Sequence, residues 1–170
     1  MKERPSLVFY HANAKGTGSA LKLELRPAKI GDLDSGAIYA TIALQTGGVG
    51  GGKRPNFDWD NGIVAKLEFC DLAKMLQVFY GETESIDDGK GLYHRTESNT
   101  QVIRLRHVIE PINGYVLDFY QHTPKNCIQS DDRSASIILH TFEALGLKIA
   151  IENSMALIAF GVDENWKGMK

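Results

Sequence analysis

Three groups of side chains in this 170-residue sequence carry chemistry that a ligand could use: cations beside glycines, aromatics at alternate positions, and arginines at alternate positions. Lys15 is followed by Gly16 and Gly18, a pattern that sets an ammonium beside exposed backbone amides, as a phosphate contact requires. It lacks the Gly-Lys-Ser/Thr ending of a nucleotide-binding loop, and a plain strand-entry turn is the alternative reading. Lys53 and Arg54 close a glycine-rich run that begins at Gly47; they are cations suited to following a flexible polyanion, or to keeping the loop solvated. Phe57 and Trp59 stand two residues apart, and an aromatic face stacked on a nucleobase contributes about 1–3 kcal/mol. The indole of Trp59 is expected to seal the core, which leaves Phe57 as the stacking residue. Arg104 and Arg106 alternate with Ile103 and Leu105, so one strand face carries two guanidinium groups. Lys22 alternates with Leu21 and Leu23 in the same way. Tyr93 joins this set, although the facing of Tyr93, Tyr39, Tyr115 and Tyr120 reverses with a one-residue register shift.

Catalysis has less support. His11, His94, His107, His122 and His140 show no metal-ligand spacing such as His-Glu-x-x-His, and no serine or cysteine lies in a nucleophile-turn motif. Asp58, Asp60 and Asp118 are scattered over turn and strand positions, where solvated or turn roles are expected. No catalytic residue, metal or cofactor is expected.

These side chains sit in a chain long enough for one well-cored domain and too short for two ordinary ones. Its hydrophobic content of 43% and charged content of 24% are those of a soluble globular protein. No apolar run approaches the roughly 20 residues of a membrane span, and the N-terminus lacks the apolar core of a signal peptide, so an intracellular, cytoplasmic protein is expected. Cys70 and Cys127 lack metal-ligand spacing; the first reads as a small core residue, the second as an incidental thiol. A net charge of −2 argues against binding driven by phosphate attraction alone. Stacking of unpaired bases does not need a large positive charge.

The elements come twice. Strand patterns cover 7–11, 20–26, 37–45 and 63–66, followed by a helical pattern over 67–80 that Gly81 stops. The second half offers strands at 91–96, 101–110 and 115–123, then a helical pattern from about Ser134 in which Ile138, Phe142, Leu145 and Ile149 share a register. Residues 21–45 and 101–123 each read as a hairpin. The half-repeats span about 5–81 and 90–153. The run Met155 to Phe160 lacks a polar face and is expected at a subunit contact, within a C-terminal segment 154–170.

Three segments carry a family resemblance. Lys15-Gly16-Thr17-Gly18-Ser19-Ala20-Leu21 resembles the lysine-glycine entry to the second strand of the Whirly proteins, plant single-stranded DNA binders. Arg54-Pro55-Asn56-Phe57-Asp58-Trp59 is similar to their arginine and aromatic-aspartate-tryptophan segment, and Gly91-Leu92-Tyr93-His94 to their aromatic-aromatic-histidine run. The lysine motif is one residue longer here and lacks its second lysine. More distantly, the chain resembles kinetoplastid mitochondrial RNA-binding proteins of the same architecture. The resemblance implies a single α+β domain over 1–170, built as a duplicated ββββα unit with two roughly perpendicular antiparallel sheets backed by helices. It also implies assembly as a homotetramer and binding of single strands along the sheets.

The expectation is a non-enzymatic binder of single-stranded nucleic acid, DNA before RNA, with Lys15, Lys22, Lys53, Arg54, Phe57, Tyr93, Arg104 and Arg106 as contact residues. An oligomeric protein-interaction scaffold is the alternative, favoured by the mild acidity. An RNA binder of the same fold is another.

Overall fold

The computed structural model describes residues 5–29, 36–47, 54–110, 112–124 and 130–161. Lys53, most of the glycine-rich run, and Cys127 lie outside the described residues.

The first half begins with β1 (Leu7–His11), β2 (Ser19–Arg26) and β3 (Ala37–Thr46), which pair antiparallel in that order. The free edge of β3 is shared by two partners. Its first part pairs with β5 (Ile63–Leu67), and its last residues pair with the two-residue strand β4 (Asn56–Phe57). Alternation does the sorting. Leu21, Ile42 and Ile63 stand in one cross-strand row and Leu23, Ala40 and Ala65 in the next, all buried on one face.

Helix α1 (Phe69–Phe79) follows, buries Leu72, Met75, Val78 and Phe79, and leaves Phe69 exposed. It ends where Gly81, at φ 75°, donates to the Val78 carbonyl while Glu82 donates to that of Gln77. That is the glycine-dependent stop the sequence implies. Cys70 is exposed in the first turn of α1, not in the core as its residue type suggested.

The second half holds β6 (Leu92–Arg95), β7 (Thr100–Val108), β8 (Gly114–Pro124) and β9 (Ser130–His140), one antiparallel sheet in chain order. Helix α2 (Thr141–Phe160) closes the half. The segment expected to start a helix near Ser134 is therefore a strand, paired with β8 from Pro124↔Ser130 to Gly114↔His140. Ala135, Ile137 and Leu139 alternate inward, a period-two pattern that the spacing of Ile138, Phe142, Leu145 and Ile149 masked. The helix consequently begins seven residues later and is rotated from the expected facing. Ala144, Leu147, Ile151 and Ile158 are buried, while Phe142 is 72% and Leu145 56% exposed. Ile149 also faces outward. Of the 155–160 run, Met155 packs against the core and Ile158 is buried, whereas Phe160 stays exposed.

One continuous core draws on both sheets and both helices, from Leu21 and Ile42 through Leu72 and Met75 to Ile103, Phe119, Ile137 and Leu147. The halves are also tied polar group to polar group. Asp71, three residues into α1, accepts from the Glu68 backbone N–H at 3.0 Å and pairs with His94 Nε2, from β6, at 3.0 Å. Glu143 does the same at the start of α2, accepting from the His140 N–H at 2.9 Å and pairing with His11 Nε2, from β1, at 2.9 Å. Each helix start is thus clasped by a histidine from the first strand of the opposite half.

Candidate nucleic-acid interface

The face of the first sheet that points away from the core carries an aromatic cluster. In the register Tyr10↔Ala20↔Ala43 the two alanines are fully buried and form a flat floor. Phe57 stands opposite Gln45 on the same face. The Tyr10 ring lies 5.6 Å from Phe57 and 6.4 Å from Trp59, and Phe57 and Trp59 are 6.3 Å apart. Trp59 is only half-buried and belongs to this outer cluster, so the expectation that it seals the core is corrected. A compact turn places it there: the Trp59 N–H donates to the Phe57 carbonyl, the Gly62 N–H to that of Trp59, and Asp58 accepts from Asn61. Lys22 Nζ sits 5.6 Å from the indole centre and 3.5 Å from Glu24. Tyr10, 61% exposed, tops the cluster. Sequence reading did not single it out, although the alternation in Leu7–His11 sets it opposite Phe9, which packs against the core.

Lys15 is exposed on the tight connection between β1 and β2. The amides around it are already used. Gly16 N–H donates to the Asn13 carbonyl, Thr17 N–H to the Asn13 side chain, and Gly18 N–H to Gln45 Oε1. The reading of this motif as a phosphate nest is therefore corrected: Lys15 offers its ammonium, and these backbone amides serve the turn. Buried Gln45 anchors the connection, accepting also from the Asn13 N–H and donating to the Asn13 and Gly47 carbonyls. A Cβ at Gly18 would lie 2.2 Å from the His11 carbonyl oxygen, which fixes glycine at that position. Arg54 is exposed just before β4.

The outward face of the second sheet gathers the other candidates. Tyr93, Val102, Tyr120 and Ser134 form one cross-strand row, and Arg104, Asp118 and Ser136 form the next. Arg106 follows, opposite Val116. Tyr93 is 64% exposed, and Tyr120, whose facing the sequence left open, shares its row. Arg106 Nε is 3.9 Å from Asp118, whose other oxygen accepts from the Ser136 hydroxyl at 2.5 Å.

Between the sheets runs a cleft of about 430 Å³, lined by Ile42, Leu44 and Ile63 of the first half and by Arg133, Ser134 and Ala135 of β9. Arg133 donates to the Asn61 carbonyl at 2.7 Å, while its buried Nε has no partner. Another groove, of about 480 Å³, is lined by Arg26, Lys29, Tyr39 and Lys66, with the Arg26 guanidinium 3.8 Å above the Tyr39 ring. Arg133 and Arg26 were not singled out from sequence. From sequence Arg133 falls in the region capping the helix expected from about Ser134, which hides its place on a strand, and Arg26 ends a strand whose alternation gives it no special place.

Several of the ionisable groups weighed for catalysis are engaged structurally. Asp58 and Asp118 accept from neighbours in their own turn or sheet, and His122 pairs with Asp132 at 2.6 Å. For Asp71, burial raises the carboxyl pKa, but the His94 hydrogen bond, the Glu68 amide and nearby positive charge outweigh it and hold it below the ordinary 3.8. The hydrogen bond to Asp71 holds the His94 pKa above 6.5 against the opposing effect of burial. No helix among the described residues is long and apolar enough to cross a membrane.

No family model and no curated protein matches the chain. Solved structures do match it. The crystal structure of WHY1 from Arabidopsis thaliana aligns with a TM-score of 0.71 at 14% identity, covering 94% of this chain and 88% of that one. WHY3 from Arabidopsis thaliana aligns at 0.70 and 14%, covering 95% and 92%. The plant transcriptional regulator PBF-2 aligns at 0.63 and 18%, covering 93% and 84%. These are Whirly structures, and the α+β fold of this chain is Whirly-like.

Proposed function

We propose that this chain, given its Whirly-like fold, is a single-stranded DNA-binding protein rather than an enzyme, and that it holds an extended strand across its two outward sheet faces. The observation that carries the reading is the cluster of Tyr10, Phe57 and Trp59 with Lys22 beside it. Three rings on one sheet face, two of them half-buried and therefore held in place, offer platforms to bases that a duplex would keep in its own stack. Arg104, Arg106 and Tyr93 repeat the combination of cation and aromatic on the other sheet. Lys15, exposed on the β1–β2 connection, and Arg54, exposed just before β4, serve as phosphate contacts. With a net charge of −2, stacking rather than phosphate attraction has to supply most of the affinity. The likeness to PBF-2, described as a transcriptional regulator, supports a part in transcription regulation.

A separate observation favours self-association, with a homotetramer as the proposed state. Phe142, Leu145 and Ile149 recur at helical spacing on the outward side of α2, and Phe160 extends the exposed apolar surface. A helix with apolar residues on both sides is ordinarily buried on both.

The test is a titration of the protein against labelled single-stranded DNA, duplex DNA and single-stranded RNA of equal length at two salt concentrations. Single-stranded DNA is expected to bind most tightly. Equal binding to duplex would refute the stacking mechanism, tighter binding to RNA would move the proposal to an RNA binder, and no binding would leave the interaction scaffold.

A further inference from the structure

We infer that His11, His140 and Glu143 form a binding site for a single divalent transition-metal ion of the zinc type. One ring nitrogen of each histidine and a carboxylate oxygen of Glu143 lie within 4.8 Å of one another, and all three residues are half-buried. The two imidazoles stack at 5.8 Å with 24° between their planes. In sequence the group is invisible: His11 is on β1, more than a hundred residues from the β9–α2 junction that holds the other two.

The duplication supplies an internal comparison. Both helix starts have a histidine from the opposite half paired with the third helical carboxylate, His94 with Asp71 and His11 with Glu143. They differ at the residue before the helix. In the first half it is Glu68, whose carboxylate is taken by Lys66 at 2.6 Å; in the second it is His140, which adds a second imidazole. Only the second junction therefore has two imidazole nitrogen donors and one carboxylate, a set that suits Zn²⁺, with a fourth position for water.

The coordination chemistry is close at hand. Zinc takes imidazole nitrogen and carboxylate oxygen at about 2.0–2.2 Å, so tetrahedral donor atoms stand roughly 3.3–3.6 Å apart. His11 Nε2 and Glu143 Oε1 are already 2.9 Å apart, and Glu143 Oε2 is held by the His140 N–H. Loading through His11 Nε2 leaves its ring proton on Nδ1. With either nitrogen on the ion, His140 gives up the contact its side chain accepts from the Glu143 amide, so the ion replaces one element of the helix cap. The bound ion would staple the edge strand β1 to the start of α2.

Chelator-treated full-length protein is titrated with ZnCl₂ by calorimetry and thermal melting, and with CoCl₂ by visible absorption. One ion per chain, a raised melting temperature and the intense visible bands of tetrahedral Co²⁺ are expected. His11→Asn and Glu143→Gln should each weaken Zn²⁺ binding by more than the ~10–100-fold that loss of an outer-shell partner costs. His94→Asn, at the equivalent clasp of the first half, should leave it unchanged. Absence of binding, unaltered binding in the first two variants, or loss in His94→Asn would overturn the assignment. Should the His11 variant fail to fold, Co²⁺-induced shifts of the His11 and His140 ring protons in the unmodified protein decide instead, and unshifted rings would overturn it.

Discussion

Replacing Arg104 and Arg106 together by alanine tests whether the second sheet touches the strand. Both guanidinium groups leave the same face of β7, opposite the buried Ile103 and Leu105, and half of the Arg106 side chain is exposed. Their loss removes no core contact, so the change in folding stability should stay within about 0.5 kcal/mol. Binding should respond more strongly. Each phosphate neutralised on a single strand contributes about 0.7 to the logarithmic salt slope, so losing both lowers its magnitude by about 1.4. Between about 50 and 200 mM salt, that difference narrows the affinity ratio of parent to variant by about 7-fold. Fluorescence anisotropy with a labelled oligodeoxythymidine across that range measures both affinity and slope. Asp118→Asn supplies the opposite perturbation, because it removes the carboxylate 3.9 Å from Arg106 and should tighten binding. An unchanged slope in the double variant, with a normal melting curve, would show that this face does not meet the nucleic acid.

Trp59→Ala should cost about 1–3 kcal/mol of single-strand affinity with little loss of stability, because the indole stacks outside the core; equal affinity in the same anisotropy assay would remove the aromatic cluster from the site. Phe142→Ser with Leu145→Glu should shift the light-scattering mass to a smaller species while the far-ultraviolet spectrum is retained, and an unchanged mass would place the contact elsewhere. His94→Gln, which keeps a neutral donor, should be less stable than the parent in a pH-dependent way. The contribution of His94, whose folded pKa is raised, is full below its unfolded value near 6.5 and is lost as pH rises through the folded one; that of Asp71, whose pKa is lowered, is present above 3.8 and is lost as pH falls through its folded value. The stability gap in denaturant unfolding should therefore be widest between those values, and a gap independent of pH would refute the ion-pair account.

Most of the framework was legible because period-two alternation is local. Leu21, Leu23 and Leu25 against Lys22, Glu24 and Arg26 needed only their own segment to be read as a strand, and Gly81 marked the end of α1 by its own conformation. The misreading of β9 came from competition between two periods. In Ser134–Phe142 the alternating Ala135, Ile137 and Leu139 overlap a helical spacing that begins at Ile138, and long-range pairing with β8 decided between them. Trp59 failed for a different reason: its residue type favours a core, but the turn through Asp58, Asn61 and Gly62 turns it onto the outer face. The Lys15 motif showed its cation and concealed its hydrogen bonds, since the acceptor that uses up the Gly18 amide is Gln45, on another strand.

What no local pattern conveys is the crossing of the halves. A duplicated ββββα chain could in principle fold as two independent units, each helix capped within its own repeat. Here the capping carboxylate of each helix is shared with a histidine from the opposite repeat, and the apolar faces of both sheets feed one core. The inner faces are thereby committed to holding the halves together, which leaves the outer sheet faces for an extended ligand. Arg133 joins these roles, because its guanidinium reaches from β9 to the Asn61 carbonyl beside the aromatic cluster. A strand laid from Tyr10, Phe57 and Trp59 toward Tyr93 and Arg104 would pass from one repeat to the other, so the proposed binding surface would exist only when the two halves are assembled as one domain.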